Sequence, residues 1–62
     1  MNTKQIIIKL KKQLAQIQTD PRYKQPLASV EINAILALIQ TGMYSEIKIL
    51  EKVINMLETS TD

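Results

Sequence analysis

The sequence predicts an all-α fold, a small three-helix bundle running up, down and up. Three observations carry that expectation. The segment ASVEINAILALIQTG at residues 28–42 is apolar nearly all round when wound at about 100° per residue. On either side of it, apolar residues recur at intervals of three and four, the period of a helix with one wet face. Gly and Pro number only one and two in 62 residues, so the chain has few places to turn.

The first helix is expected over residues 3–18. Ile6, Ile7, Leu10, Leu14 and Ile17 share one face, with Thr3 above them as its N-cap. Gln5, Lys9, Lys12 and Gln16 form the opposite stripe. The β-branched run Ile6-Ile7-Ile8 also suits a strand. The good helix formers of KLKKQLAQIQ continue the helical period and decide for helix. Ile8 falls off the core face, beside Lys4 and Lys11.

TDPRYKQP is the first connection. Asp20 before Pro21 has the order of a capping residue followed by Pro at a first helical position. A single turn over residues 21–24 is expected, ended by Pro26, which disfavours a helical Gln25. Ser29 caps the central helix, placed at 29–41, and Glu31 in its first turn complements the helix dipole.

Eight of the ten residues from 30 to 39 are apolar, and such a helix must be covered on most sides. Gly42, the one glycine, stands where a left-handed residue would close it. The third helix is then placed at 44–58. Met43, Ile47, Leu50, Ile54 and Leu57 repeat at four, three, four and three, and Ile49, Val53 and Met56 form a second stripe beside them. The polar end, residues 59–62, is expected to fray. The predicted core comprises Ile7, Leu10, Leu14, Ile17, Ile32, Ile35, Leu36, Ile39, Ile47, Leu50, Ile54 and Leu57.

Sixty-two residues make one domain, which is marginal alone and buries only about 60% of its unfolded surface. Scaffolds of this size are commonly held by disulfides, a metal or a partner chain. The chain has no Cys, and it has no His, so the commonest transition-metal ligands are missing. Oligomerisation remains. A central helix with two covering neighbours leaves one side open, and a symmetric homodimer is the expected completion. The residues expected at that protein interface are Ile35, Leu38, Ile49, Val53, Met56 and Ile8.

Catalysis needs a nucleophile, a base and a group to orient them. Without His or Cys the usual pairs are absent, no Gly-rich phosphate loop exists, and the carboxylates are scattered. No enzyme, metal or cofactor is expected. The longest unbroken apolar run, residues 34–39, is far short of the roughly 20 residues that span a bilayer. Ile6-Ile7-Ile8 is too short for a signal-peptide core. A cytoplasmic, unprocessed protein is expected, which the lack of Cys fits.

Charge is divided along the chain. Residues 1–25 carry six cations against Asp20 alone, hence +5, and residues 26–62 carry −3. Lys4, Lys9, Lys11, Lys12, Arg22 and Lys24, with Tyr23 between the last two, are candidate contacts for the phosphates of a nucleic acid. They equally suit the wet face of an amphipathic helix. The stretch EINAILALIQTGMYSEIKILEKVI resembles a helix-turn-helix, with glycine in its turn. Leu38 stands where a small residue lets the two helices of that motif cross. Met43, Tyr44, Ile47 and Ile49 crowd the positions that would read base edges. The plainer reading is an antiparallel helical hairpin.

A central helix, then Gly42-x-Tyr44, then an aliphatic third helix is also similar to the middle of the small helical-bundle bacteriocin immunity proteins, over residues 20–57. Those proteins are longer and carry a fourth helix. The expected function is therefore that of a small non-enzymatic regulatory protein that binds a partner protein through an aliphatic surface. Nucleic-acid binding through the basic first half is the alternative, and the resemblance implies an immunity-like role as a second.

Overall fold

A computed structural model describes residues 2–60 of the chain. Three helices follow one another, α1 over Thr3–Gln18, α2 over Pro21–Lys24 and α3 over Val30–Ser60, with no strand among the described residues. The fold is all-α. The long helices α1 and α3 lie antiparallel: Lys4, Ile7 and Ile8 near the start of α1 line one depression with Glu58 near the end of α3. At the other end Tyr23 of α2 stacks against Tyr44. The molecule is a rod of 48 × 16 × 16 Å. Its radius of gyration is 14.3 Å, against about 10.6 Å for a compact domain of this length.

The largest departure from the sequence expectation lies at Gly42. It closes no helix. The predicted helices at 29–41 and 44–58 are one continuous helix, and Gly42 has no positive φ. The reason is the phase of the buried stripe. Gln40, Met43, Ile47, Leu50, Ile54 and Leu57, spaced at three and four throughout, are all buried or half-buried. Thr3, Ile7, Leu10, Leu14 and Ile17 of α1 answer them with the same spacing and are half-buried. The two stripes have the spacing of an antiparallel coiled-coil seam. A break at Gly42 would throw the two halves of the stripe out of register. Glycine in a helix interior costs about 1 kcal/mol relative to Ala, whereas each well-buried aliphatic side chain contributes roughly 1.5–3 kcal/mol. The seam prevails.

The second departure lies upstream. Asn33 has non-helical φ and ψ, −149° and 83°. Its Oδ1 accepts the Leu36 amide at 3.1 Å, so Asn33 is the N-cap of the long straight part of α3. The turn before it is capped by Ser29, whose Oγ accepts the Glu31 amide at 3.2 Å and whose carbonyl accepts the Ile32 and Asn33 amides. The kink breaks the angular phase of residues 30–32 relative to the rest of α3. Ile32, predicted in the core, is consequently 89% exposed. Ile35, also predicted there, points away from the seam and is exposed. The buried apolar core consists of Ala37, Ile47, Leu50 and Ile54, and Ala37 was not among the residues predicted for it.

At the ends, the N-cap of α1 is Asn2 in place of Thr3: the Asn2 Oδ1 accepts the Lys4 amide at 3.0 Å. Asp20 caps α2 through an Oδ1 that accepts the Arg22 amide at 2.8 Å, with Pro21 in the first turn. Gln25, before Pro26, is extended as that proline requires. Thr59 and Ser60, expected to fray, continue α3, with hydroxyls that donate to carbonyls three and four residues back. The rest of the expected frayed end, residues 61 and 62, lies outside the described residues.

Candidate functional site

One side of α3 is committed to the seam, and this fixes what the other side can present. At 100° per residue, Ile35, Leu38, Gly42, Ser45, Ile49, Val53 and Met56 fall in a band on the face turned away from α1. Ile35 and Leu38 are each 75% exposed, Ile49 and Met56 are 59% exposed, and Val53 is 37% exposed. The five interface residues predicted on this helix thus share one exposed face as two aliphatic groups, Ile35 with Leu38 and Ile49 with Val53 and Met56. The sixth, Ile8, is exposed but lies on α1, in the shallow depression it shares with Lys4, Ile7 and Glu58.

Sequence reasoning missed two parts of this surface and one buried group behind it. Gly42 and Ser45 continue the stripe between its two apolar halves, and a Cβ added to Gly42 would meet no atom within 4 Å. Leu27, Val30 and Ile32 add exposed apolar groups where α3 begins. Gln40 lies on the opposite side of the helix and is wholly buried. The spacing of three and four through Gly42 was the available signal for the first of these.

Gln40 determines how the α1–α3 connection is held. Its Oε1 accepts the Ala28 amide at 2.8 Å. Its Nε2 donates to the carbonyls of Arg22 at 2.9 Å and Pro26 at 3.1 Å, with Gln25 at 3.4 Å. The Tyr23 and Tyr44 rings, with centroids 5.1 Å apart and planes tilted by 56°, fasten α2 to α3 beside this cluster. These groups close the end of the rod where α3 outruns α1. They leave the aliphatic stripe uncovered.

The candidate phosphate contacts do not converge. By helical phase, Lys9 and Lys12 face away from α3, while Lys4 and Lys11 flank the seam. Lys11 forms an ion pair with Glu58 at 2.8 Å. Arg22 on α2 binds the Asp20 carboxylate through Nε at 3.1 Å and Nη2 at 2.9 Å. That side-chain hydrogen bond, with the Arg22 backbone N–H, holds the Asp20 carboxyl below its ordinary pKa and raises that of Arg22. Lys4, Lys9, Lys12 and Lys24 are exposed.

Among the described residues no cluster of three His, Cys, Asp or Glu could hold a metal ion. No helix of the described residues is long and apolar enough to cross a membrane. Comparison with protein families, with curated proteins and with solved structures finds no match for this chain.

Proposed function

We propose that this protein acts without catalysis, as a helical interaction module that regulates a partner protein by occupying its surface. The contact is made by the aliphatic stripe of α3, and self-association through the same stripe is one form of that binding. The observation that carries the reading is the exposure of Ile35, Leu38, Ile49, Val53 and Met56 along one face of α3 beyond its kink at Asn33. Each such side chain contributes roughly 1.5–3 kcal/mol when covered, so a partner helix or groove would gain much by docking there. This is helix-in-groove recognition, with anchors at intervals of three and four.

The test is retention on immobilised chain, wild type against Leu38→Glu, from an extract of the source cells. The retained protein is then purified and titrated by calorimetry. A saturable interaction lost in Leu38→Glu supports the reading. Equal retention by both forms, or none, overturns it. The rival, nucleic-acid binding, draws on the exposed Lys4, Lys9, Lys12 and Lys24. A mobility shift that weakens steeply with salt would favour it.

A further inference from the structure

We propose that the α2–α3 connection is a strap fastened by Gln40, and that the bend of α3 at Asn33 lasts only while the strap is fastened. With Gln40 released, α3 runs straight from Ser29 and offers a different apolar surface at that end of the rod. The inference goes beyond the proposed function and does not depend on it.

A fastened strap and a straight α3 exclude one another. The Gln40 Oε1 lies 2.8 Å from the Ala28 amide, although the two residues are twelve apart in sequence. In a straight helix begun at Ser29, Ala28 would stand about 18 Å from Gln40 along the axis. That is far beyond the reach of a glutamine side chain. The turn at Asn33 is what brings Ala28 back. The contact of Tyr23 with Tyr44 is bound by the same geometry. The fifteen residues from Ser29 to Tyr44 make about 22 Å of straight helix. The six from Tyr23 to Ser29 span at most about 20–22 Å when fully extended. Straightening therefore pulls on the ring contact as well.

The sequence holds a helix start for each form. Asn33 caps the bent form through the Leu36 amide, and Ser29 already accepts the Glu31 amide four residues upstream. Within α3 only Asn33 departs from helical φ and ψ, so the two forms differ there at one residue. The surface changes with it. Ile32 is 89% exposed in the bent form. It stands four residues before Leu36 and seven before Ile39, both half-buried. A straight helix puts these three on one face. Opening the strap thus brings Ile32 into line with Leu36 and Ile39 and uncovers Gln40. A ligand that binds one form better shifts the balance towards it, and the strap sets which surface the end of α3 presents.

The experiment uses the full chain and approaches the device from both ends. Gln40→Leu removes every hydrogen bond of the clasp and leaves an apolar side chain of similar size in its place. The Asn33 backbone carbon shifts should then move to helical values while residues 30–32 stay helical. Non-helical shifts retained at Asn33 would show that the bend is local, and loss of helix at 30–32 would show that the strap supports this turn. Either result overturns the proposal. Asn33→Ala removes the cap of the bent form and supplies the better helix former. The Ala28 amide should exchange with solvent at least tenfold faster relative to the Leu50 amide, which reports global stability. Asn33→Asp, an equally good cap, should restore it. Unchanged exchange at Ala28 overturns the proposal. Asn33 and Gln40 share no hydrogen-bond partner, so independent effects on urea unfolding would add. The double variant should lose less than the sum of the two single losses, because the second change acts on a strap already open. Strict additivity would also overturn the coupling.

Discussion

The Gln40 side chain reaches back to the Ala28 amide, 2.8 Å from its Oε1, and joins two parts of the chain twelve residues apart. The segment it holds, residues 25–28, has no regular structure and must find partners for its backbone polar groups elsewhere. A primary amide suits this place because it both accepts and donates, taking the Ala28 N–H on one atom and supplying the Arg22 and Pro26 carbonyls from the other. Gln40→Ala should therefore destabilise the chain by about 1–3 kcal/mol, the cost of a buried group left unpaired. Urea unfolding followed by circular dichroism measures it. A loss below about 0.5 kcal/mol would show that the connection holds without the clasp.

Gly42→Ala should act in the opposite direction. Inside a helix with open space around it, Ala is favoured by about 1 kcal/mol. Were Gly42 instead a left-handed cap, the same change would destabilise by a similar amount. The sign of the shift in thermal unfolding, taken at the lowest workable protein concentration, decides between one long helix and two short ones.

The cap of α2 should be lost on acidification. The hydrogen bonds from the Arg22 side chain and amide lower the Asp20 pKa from its ordinary 3.8. A carboxyl with a folded value below its unfolded one stabilises fully above the unfolded value, and that contribution disappears as pH falls through the folded value. The change is thus confined to the region below about pH 4. Asp20 protonation followed by NMR, with the Arg22 amide as reporter, should give a midpoint below 3.8, and Asp20→Asn should remove the transition from that amide.

The Tyr23–Tyr44 pair should be measurable as a pair. Aromatic contacts at 5.1 Å in a tilted arrangement contribute about 0.5–1.5 kcal/mol beyond the area they bury. In a double-mutant cycle with Tyr23→Leu and Tyr44→Leu, the coupling should fall in that range. With no Trp or Phe present, near-UV circular dichroism reports these two rings alone, and either replacement should collapse the signal.

Much of this structure was legible in the sequence. The spacing of Ile7, Leu10, Leu14 and Ile17 placed the seam of α1, and Asp20-Pro21 marked the single turn after it. The stripe of Ile49, Val53 and Met56 was visible beside the buried repeat. Gly42 misled because a lone glycine after an apolar run has the form of a stop signal, while the stripe from Gln40 to Met43 and Ile47 keeps its phase straight through it. Tertiary burial outweighs local propensity here by several residues to one. Asn33 hid for a related reason: as one polar residue in an apolar run it reads as a wet position, and its capping role appears only once the backbone turns. Gln40 could not be found by hydropathy at all, because its partners are carbonyls and an amide of the backbone.

The overhang of α3 beyond α1 has a consequence for the order in which the molecule comes apart. From Ile47 to Ile54 the long helix is clamped by α1 along its whole length, while its first turns are covered by a one-turn helix and an irregular segment held by a single amide. The backbone ladder is already interrupted at Asn33. Amide protons before Asn33 will exchange with solvent fastest, those around Gln40 will exchange together as one cooperative unit, and those at Leu50 and Ile54 will exchange only on global unfolding. The rod opens from its turn.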